Sequence, residues 1–250
     1  MRKHFLLFFL LGCFVALKAQ ISIKDSSATI PMVSASFGLQ LPKGNLADRF
    51  GSNASLGFSF FIKNKNNWMY GVDWNYMFGR NIKESGILDS IKTENGQIIA
   101  PSGEYAEVII YERGFHSSVY FGRLFPVLGP NPNSGIFYLV GLGLLQHKIR
   151  IEDTGNQTPQ LAPEYRKGYD RLTNGFAINQ FAGYSFLGNN KLVNFYAGIE
   201  FVHAWTQSRR SYDYDLMRRD TQKRKDMLIG IRAGWILPLY KRTPREFYYY

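Results

Sequence analysis

Residues 68–79 alternate between two kinds of side chain with a period of two. Such alternation predicts a β-strand whose two faces meet different surroundings. Bulky aromatic residues cluster at both ends of one face, and the other face is small, polar or flexible, which is typical of a strand with lipid outside and a polar lumen inside. The first face consists of Trp68, Tyr70, Val72, Trp74, Tyr76 and Phe78, and the second of Met69, Gly71, Asp73, Asn75, Met77 and Gly79.

The same period of two, interrupted by turn residues, predicts eight strands along the chain. In hydrocarbon every backbone N–H and C=O group must be paired within the protein, so a membrane sheet has to close on itself. The predicted fold class is therefore an all-β, eight-stranded antiparallel transmembrane up-and-down β-barrel, with a lumen just filled by side chains. In the sixth strand, the better of two registers turns Gln180 toward lipid. The predicted strands cover residues 31–41, 53–63, 68–79, 108–125, 136–149, 176–187, 192–206 and 227–239.

The links between the predicted strands are alternately short and long. In an outer-membrane barrel whose amino terminus lies in the periplasm, periplasmic turns are short and surface loops are long. The alternation therefore predicts an integral protein of a Gram-negative outer membrane. The short links are 64–67, 127–135 and 188–191, and the long links lie near 42–52, 80–107, 150–175 and 207–226.

Residues 1–19 have the features of a secretory signal peptide. A basic start precedes the apolar run 5–16, which is too short to cross a bilayer as a helix. Cleavage after Ala19 predicts one mature domain, the barrel of residues 20–250 with a short periplasmic tail. The alternative is a lipoprotein cleavage site that would leave an acylated Cys13.

Composition and charge narrow the class of partner. The chain is 16% aromatic and contains 24 glycines, which is rich for a soluble domain. Loss of Arg2, Lys3 and Lys18 with the signal peptide lowers the formal net charge from +11 to +8. An exported protein rarely meets nucleic acid. The basic balance therefore indicates outer-membrane lipids and lipopolysaccharide as partners.

Four ionisable residues fall on the predicted lumen face: Asp73, His116, Glu200 and Arg232. Charges inside a narrow barrel must pair or form hydrogen bonds. Glu200 and Arg232 lie on adjacent predicted strands and are expected to meet. A proton path or gate is one interpretation of this lumen polar network. The pattern favours a second interpretation, in which these residues form ion pairs that fill the lumen.

His116 and Ser118 resemble the His-x-Ser motif of outer-membrane lipid A deacylases. A serine nucleophile needs a base within hydrogen-bond reach and a third group that orients the base. After His116 no Asp or Glu follows until Glu152, and the strand parity turns both residues inward. We therefore predict no catalytic residue. An outer-leaflet lipid A-modifying enzyme is the first alternative, and a small-solute pore is the second.

The last long link is rich in arginine and is expected at the outer surface, where lipopolysaccharide phosphates lie. Arginine suits bidentate contacts with phosphate. A solvated loop is the alternative interpretation, and Tyr212, Tyr214 and Met217 would instead suit a partner surface. The candidate residues for phosphate or partner binding are Arg209, Arg210, Arg218, Arg219 and Arg224.

Metal and cofactor sites are not predicted. Asp213, Asp215 and Asp220 could offer oxygen ligands to calcium, but basic neighbours disfavour a cation there. His147 and His203 stand alone in the sequence.

Three segments resemble small eight-stranded outer-membrane barrels of Bacteroidota. They are Leu-Pro-Lys-Gly-Asn-Leu-Ala at 41–47 with Phe-Gly at 50–51, Gly-Tyr-Asp-Arg-Leu-Thr-Asn-Gly at 168–175, and Gly-Trp-Ile-Leu-Pro at 234–238. The resemblance covers almost the whole mature chain. Some of these barrels are accessory parts of protein-export or assembly machines, including the type IX secretion system. The resemblance implies a non-enzymatic accessory subunit of an envelope complex, with other envelope proteins as partners.

Overall fold

The computed structural model describes residues 26–155, 158–189 and 193–240. Eight long antiparallel strands close into a single barrel in which strands adjacent in the chain are adjacent in the ring. The predicted fold class is confirmed. The signal segment, Cys13 and residues 241–250 lie outside the described residues. The barrel strands are β1 (Ile30–Gly44), β2 (Asn53–Lys63), β3 (Trp68–Gly79), β6 (Val108–Phe125), β7 (Gly135–Asp153), β8 (Thr173–Leu187), β9 (Asn194–Ser208) and β10 (Lys223–Pro238).

Several strands are longer than predicted at the end that carries the long links. β7 continues to Asp153 rather than ending at 149, and β10 begins at Lys223 rather than at 227. At these positions the outward side chains are charged, so the hydrophobic alternation stops although backbone pairing continues. The long links are 45–52, 80–107, 154–172 and 209–222, and the short links are 64–67, 126–134 and 188–193.

The outward face of the barrel is apolar around its middle. In β3, Val72 is 48% exposed and its neighbour Asp73 only 5%, so the predicted faces of this strand are confirmed. Gln180 points outward in the predicted register and accepts a hydrogen bond from the hydroxyl of Tyr138, 3.1 Å away. No helix in the described part of the chain is long and apolar enough to cross a membrane.

The long loops fold over the upper mouth, the end of the barrel that carries them. They contain the helix α1 (Leu46–Arg49), three 3-10 helices and the small hairpin β4 (Ile98–Ile99) and β5 (Tyr105–Ala106). Their apolar side chains form one buried cluster with lumen residues of the upper barrel, so the loops cover the mouth. Members of this cluster include Leu46, Phe50, Ile87, Leu88, Leu161 and Tyr169 from the loops, and Met77, Leu145, Ile149 and Leu228 from the strands. The 3-10 helices are Ser85–Ile91, Pro159–Leu161 and Tyr165–Gly168.

The lower mouth, where the short links lie, is filled by the segment that precedes β1. The buried amino group of Lys63 donates hydrogen bonds to Ser27 Oγ at 3.0 Å and to the carbonyl oxygen of Ala28 at 3.1 Å. The backbone N–H of Ala28 in turn donates to Asn133 Oδ1 at 2.9 Å. This segment therefore joins β2 to the turn 126–134 beneath the lumen.

Candidate functional site: a polar lumen and a basic outer rim

Arg232 lies at the centre of the lumen, where parity on β10 turns it inward. Its Nη1 is 2.9 Å from Asp73 Oδ2 and 2.7 Å from Asn75 Oδ1, and its Nη2 is 3.1 Å from Glu200 Oε1. The guanidinium also lies over the ring of Phe181, 4.8 Å from its centroid. One cation thus serves two buried carboxylates, which is the compensation that buried charges require.

His116 extends the same network from β6. Its Nε2 is 3.9 Å from Glu200 Oε2 and 3.2 Å from Gln40 Nε2, and that amide also donates to Glu200 at 3.2 Å. The structure therefore brings Asp73, His116, Glu200 and Arg232 together. Gln40 and Asn75 belong to the network as well. Parity alone placed both on the inward face, but it gave no sign that they contact these charges.

The reason given above against a catalytic His116 is partly wrong, because a carboxylate does lie near it. Glu200 reaches His116 across the lumen from β9, whereas the sequence argument considered only residues that follow His116 in the chain. The arrangement still differs from an acyl-transfer triad. In a triad one imidazole nitrogen faces the serine and the other faces the carboxylate. Here Nε2 faces Glu200, and Ser118 Oγ accepts a hydrogen bond from the amide of Asn179.

His147 is not alone, as the sequence suggested, but belongs to a second polar cluster in the upper lumen. Its Nε2 is 2.9 Å from Asp226 Oδ2, and Thr206 Oγ1 lies 2.5 Å from the same oxygen. The ring of Phe50 meets His147 edge to face, with centroids 5.5 Å apart. The residues that the structure describes contain no group of three or more His, Cys, Asp or Glu side chains that could hold a metal ion.

A cavity of about 470 Å³ opens at the upper mouth beside Arg49, Arg171 and Arg224. Each of these cations faces a carboxylate. Arg49 Nε is 3.5 Å from Glu84 Oε1, Arg171 Nε is 3.2 Å from Glu84 Oε2, and Arg224 Nη2 is 2.5 Å from Asp220 Oδ2. Burial, opposed by nearby Glu84, lowers the pKa of the Arg49 guanidinium from its usual value.

Of the five arginines predicted as one phosphate-binding set, Arg218, Arg219 and Arg224 line the cavity of the upper mouth, and Arg209 and Arg210 do not. Arg224 is not in the loop but in β10, where its side chain points inward and pairs with Asp220. Arg210 donates through Nε to Asp170 Oδ1 at 2.7 Å, and this hydrogen bond raises the pKa of its guanidinium. Arg209 donates to Asn174 Oδ1 at 2.5 Å. Arg218 and Arg219 remain exposed.

A different basic surface lies on the outside of the barrel, at the level where the apolar belt ends. Tyr76 stacks between Trp74 and Phe78, with ring centroids 6.2 Å apart on each side. At the top of this aromatic row Arg113 is opposite Phe78. Arg113 Cζ lies 4.8 Å and Arg80 Cζ 5.6 Å from the ring centroid of Tyr111. We call this surface the outer rim. It combines the aromatic girdle of a membrane interface with a row of cations.

A closed barrel with an apolar exterior, short turns at one end and long loops at the other defines the class of protein: an integral outer-membrane β-barrel. No protein-family model matches the sequence, and no curated protein matches it.

Three solved structures are similar to the chain in fold. The crystal structure of Neisserial surface protein A is 13% identical with a TM-score of 0.43, covering 82% of this chain and 95% of that one. Ail, the attachment invasion locus protein of Yersinia pestis, is 11% identical with a TM-score of 0.40, covering 84% and 99%. The same protein in complex with the heparin analogue sucrose octasulfate is 12% identical with a TM-score of 0.36, covering 84% and 99%.

Proposed function

We propose that this non-enzymatic outer-membrane barrel is an accessory or interaction subunit of an envelope protein-export or assembly complex. The segments at 41–47, 168–175 and 234–238 support this role, because they resemble small barrels of Bacteroidota, some of which have it. In this proposal the barrel wall contacts lipids and lipopolysaccharide. The loops or turns bind other envelope proteins.

The observation that carries the proposal is a pair of exposed apolar side chains in the links at opposite ends of the barrel. Leu128, in the lower turn 126–134, is 88% exposed with φ +60°, and Met217, in the upper loop 209–222, is 73% exposed with φ +51°. A left-handed backbone costs a residue with a Cβ about 1–2 kcal/mol. Backbone outliers of this kind cluster at ligand-binding and switch sites.

The filled lumen favours an interaction role over a pore. Arg232 and its carboxylate partners cross the middle of the barrel, loops cover the upper mouth, and the segment before β1 occupies the lower one. An eight-stranded barrel has an interior just wide enough for side chains. A solute would therefore have to displace three layers of buried groups.

Affinity purification from the native host in mild detergent, followed by mass spectrometry, tests the proposal. Three strains are compared: wild type, Met217→Asn and Leu128→Asn. Asparagine tolerates the left-handed backbone, so each variant removes the apolar side chain while keeping the local fold. We expect wild type to retain a defined set of envelope proteins. One of the two variants should lose this set, and the other variant, which keeps it, is the matched control.

The result also identifies the docking end. Loss with Met217→Asn alone assigns the partner to the upper loops, and loss with Leu128→Asn alone assigns it to the lower turns. The proposal is overturned if wild type retains no protein above an untagged control. It is equally overturned if both variants retain the whole set.

A further inference from the structure

A groove of about 460 Å³ lies on the outside of the barrel at the outer rim. Its floor is formed by Tyr76 and Phe115, two aromatic rings of the girdle. Its upper walls are formed by side chains of β6 and β7 and by loop residues between 163 and 170. The cations that line it are Arg113, Lys148, Arg150, Arg166, Lys167 and Arg210.

Strand register fixes the level at which the groove lies. Phe115 pairs with Tyr76 on one side and with Gln146 on the other. One step further up, Arg113 pairs with Phe78 and Lys148. At this upper height the outward side chains of β6 and β7 are both cationic, whereas β3 still carries the aromatic Phe78. The groove has an aromatic floor below this height and cationic walls above it.

The charges of the groove are poorly balanced within the protein. Asp170 is engaged by Arg210, and Arg150 Nε lies 3.9 Å from Glu152. Among the residues that the structure describes, Lys148 and Lys167 make no ion pair. Arg113 donates to the carbonyl oxygen of Glu112 at 2.7 Å, and its charge also interacts with the buried carboxyl group of Glu112. The cavity of the upper mouth differs, because its buried arginines already face Glu84 and Asp220.

We propose that this groove binds lipid A, the phosphorylated glycolipid of the outer leaflet. A phosphate lies between Lys148 and Lys167, and an acyl chain lies on the rings of Phe115 and Tyr76. Cations suit phosphate oxygens, and an aromatic floor suits hydrocarbon at the membrane interface. The groove lies at the end with long loops, which faces the outer leaflet. This inference rests on the outer-membrane location in the proposed function.

Native mass spectrometry of the whole protein in detergent, titrated with purified lipid A, tests the site. The double variant Lys148→Gln/Lys167→Gln removes two groove cations. Its charge-matched control is Arg218→Gln/Arg219→Gln, in the loop where the sequence alone suggested phosphate binding. We expect the groove variant to bind lipid A about tenfold more weakly, comparable to the loss of one charge-assisted hydrogen bond. The control should bind within about twofold of wild type.

Two further ligands distinguish the contribution of the phosphorylated headgroup to binding from that of the acyl chains. They are dephosphorylated lipid A and phosphatidylglycerol. We expect both to bind wild type about tenfold more weakly than lipid A. Equal binding of dephosphorylated lipid A would reduce the site to hydrocarbon contact, and equal binding of phosphatidylglycerol would make it a general anionic-lipid surface. Either result overturns the inference, as does equal weakening by the control variant.

Membrane fractionation of the wild-type strain distinguishes a failure of the lipid A site from a failure of the proposed function. Protein in the outer membrane that does not bind lipid A refutes the groove alone. Protein outside the outer membrane refutes the proposed function, whatever the lipid titration gives. Heat-modifiable migration in gel electrophoresis verifies that both double variants are folded barrels.

Discussion

Arg232 on β10 reaches across the lumen to Asp73 on β3, with Nη1 2.9 Å from Oδ2. In the ring these strands are separated by β1 and β2, so the ion pair joins parts of the wall that share no backbone hydrogen bonds. Because the same guanidinium also binds Glu200 on β9, it ties three strands together.

Arg232→Met should destabilise the barrel by about 3–5 kcal/mol, because two buried carboxylates lose their cation. Urea unfolding of the protein in lipid vesicles measures this change. The triple variant Arg232→Met/Asp73→Asn/Glu200→Gln removes the charges together and should recover most of the lost stability. A triple variant as unstable as the single one would mean that Arg232 acts through packing on Phe181 rather than through charge.

Val72→Arg should destabilise the barrel by about 2–4 kcal/mol, because Val72 faces lipid and lies midway along β3. The conservative variant Val72→Leu, which keeps an apolar side chain outside, is the matched control and should change little. Refolding titrations from detergent into lipid measure both. Asn75 on the opposite face is not a neutral comparison, since it accepts a hydrogen bond from Arg232. Equal stabilities of the Arg and Leu variants would contradict the outward assignment.

The orientation of the barrel can be tested with epitope tags at residues 95 and 65, both exposed and at opposite ends. Residue 95 lies in the long link 80–107, and residue 65 lies in the short link 64–67. On intact cells we expect an antibody to label the tag at 95 and not the tag at 65. Permeabilised cells provide the control for tag accessibility. Labelling at 65 in intact cells would reverse the orientation.

Acid should loosen the upper loop 209–222 through Asp220. Burial favours its neutral form, but hydrogen bonds from the backbone of Gln222 and from Arg224 outweigh burial and lower its pKa. A carboxyl whose folded pKa is depressed stabilises the fold above its unfolded pKa, about 3.9, and loses that contribution as the pH falls below it. The protection factors of the loop amides, which correct for the slower intrinsic exchange in acid, should therefore fall between pH about 5 and about 3.

Asp220→Asn is the control for this pH dependence: the protection factors of its loop amides should be lower already at neutral pH and should change little further in acid. Nearby Asp213 contributes with the opposite sign, because burial raises its pKa. Its protonation favours the folded loop as the pH falls. An unchanged acid response in Asp220→Asn would assign the effect to another group.

His116→Asn and Ser118→Ala should leave the acylation pattern of lipid A unchanged. If the pair were a base and its nucleophile, either substitution would cost several orders of magnitude in rate. Mass spectra of lipid A from a deletion strain, and from strains complemented with wild type or each variant, measure the pattern. An acyl chain that appears on deletion, disappears with wild type and persists with both variants would establish an enzyme.

The faces of the strands were predictable because lipid and lumen impose opposite demands on successive residues, as at Val72 and Asp73. Contacts between side chains across the lumen were harder to predict from the sequence. Glu200 meets His116, and Asp226 meets His147, from strands far apart in the sequence, and parity gives only the face of each residue, not its height. The upper ends of β7 and β10 escaped prediction, because charged outward residues end the alternation while backbone pairing continues.

The outer groove could have been predicted only by aligning two strands. Arg113 and Lys148 are directly opposite each other once β6 and β7 are paired through the turn 126–134. The sequence instead drew attention to the run of arginines before β10. In the structure, several of those side chains are satisfied by nearby aspartates or by Asn174, which charge counting along the chain does not reveal.

The pairing of β1 with β10 bears on how the chain can be assembled. The first strand meets the last over nearly its whole length, from Met32 opposite Pro238 to Gly44 opposite Asp226. Until the final strand has been synthesised and delivered, β1 exposes an unpaired backbone edge that hydrocarbon does not tolerate. Stepwise insertion during synthesis would leave that edge open at every stage but the last. The barrel can therefore close in the bilayer only after β10 has been synthesised.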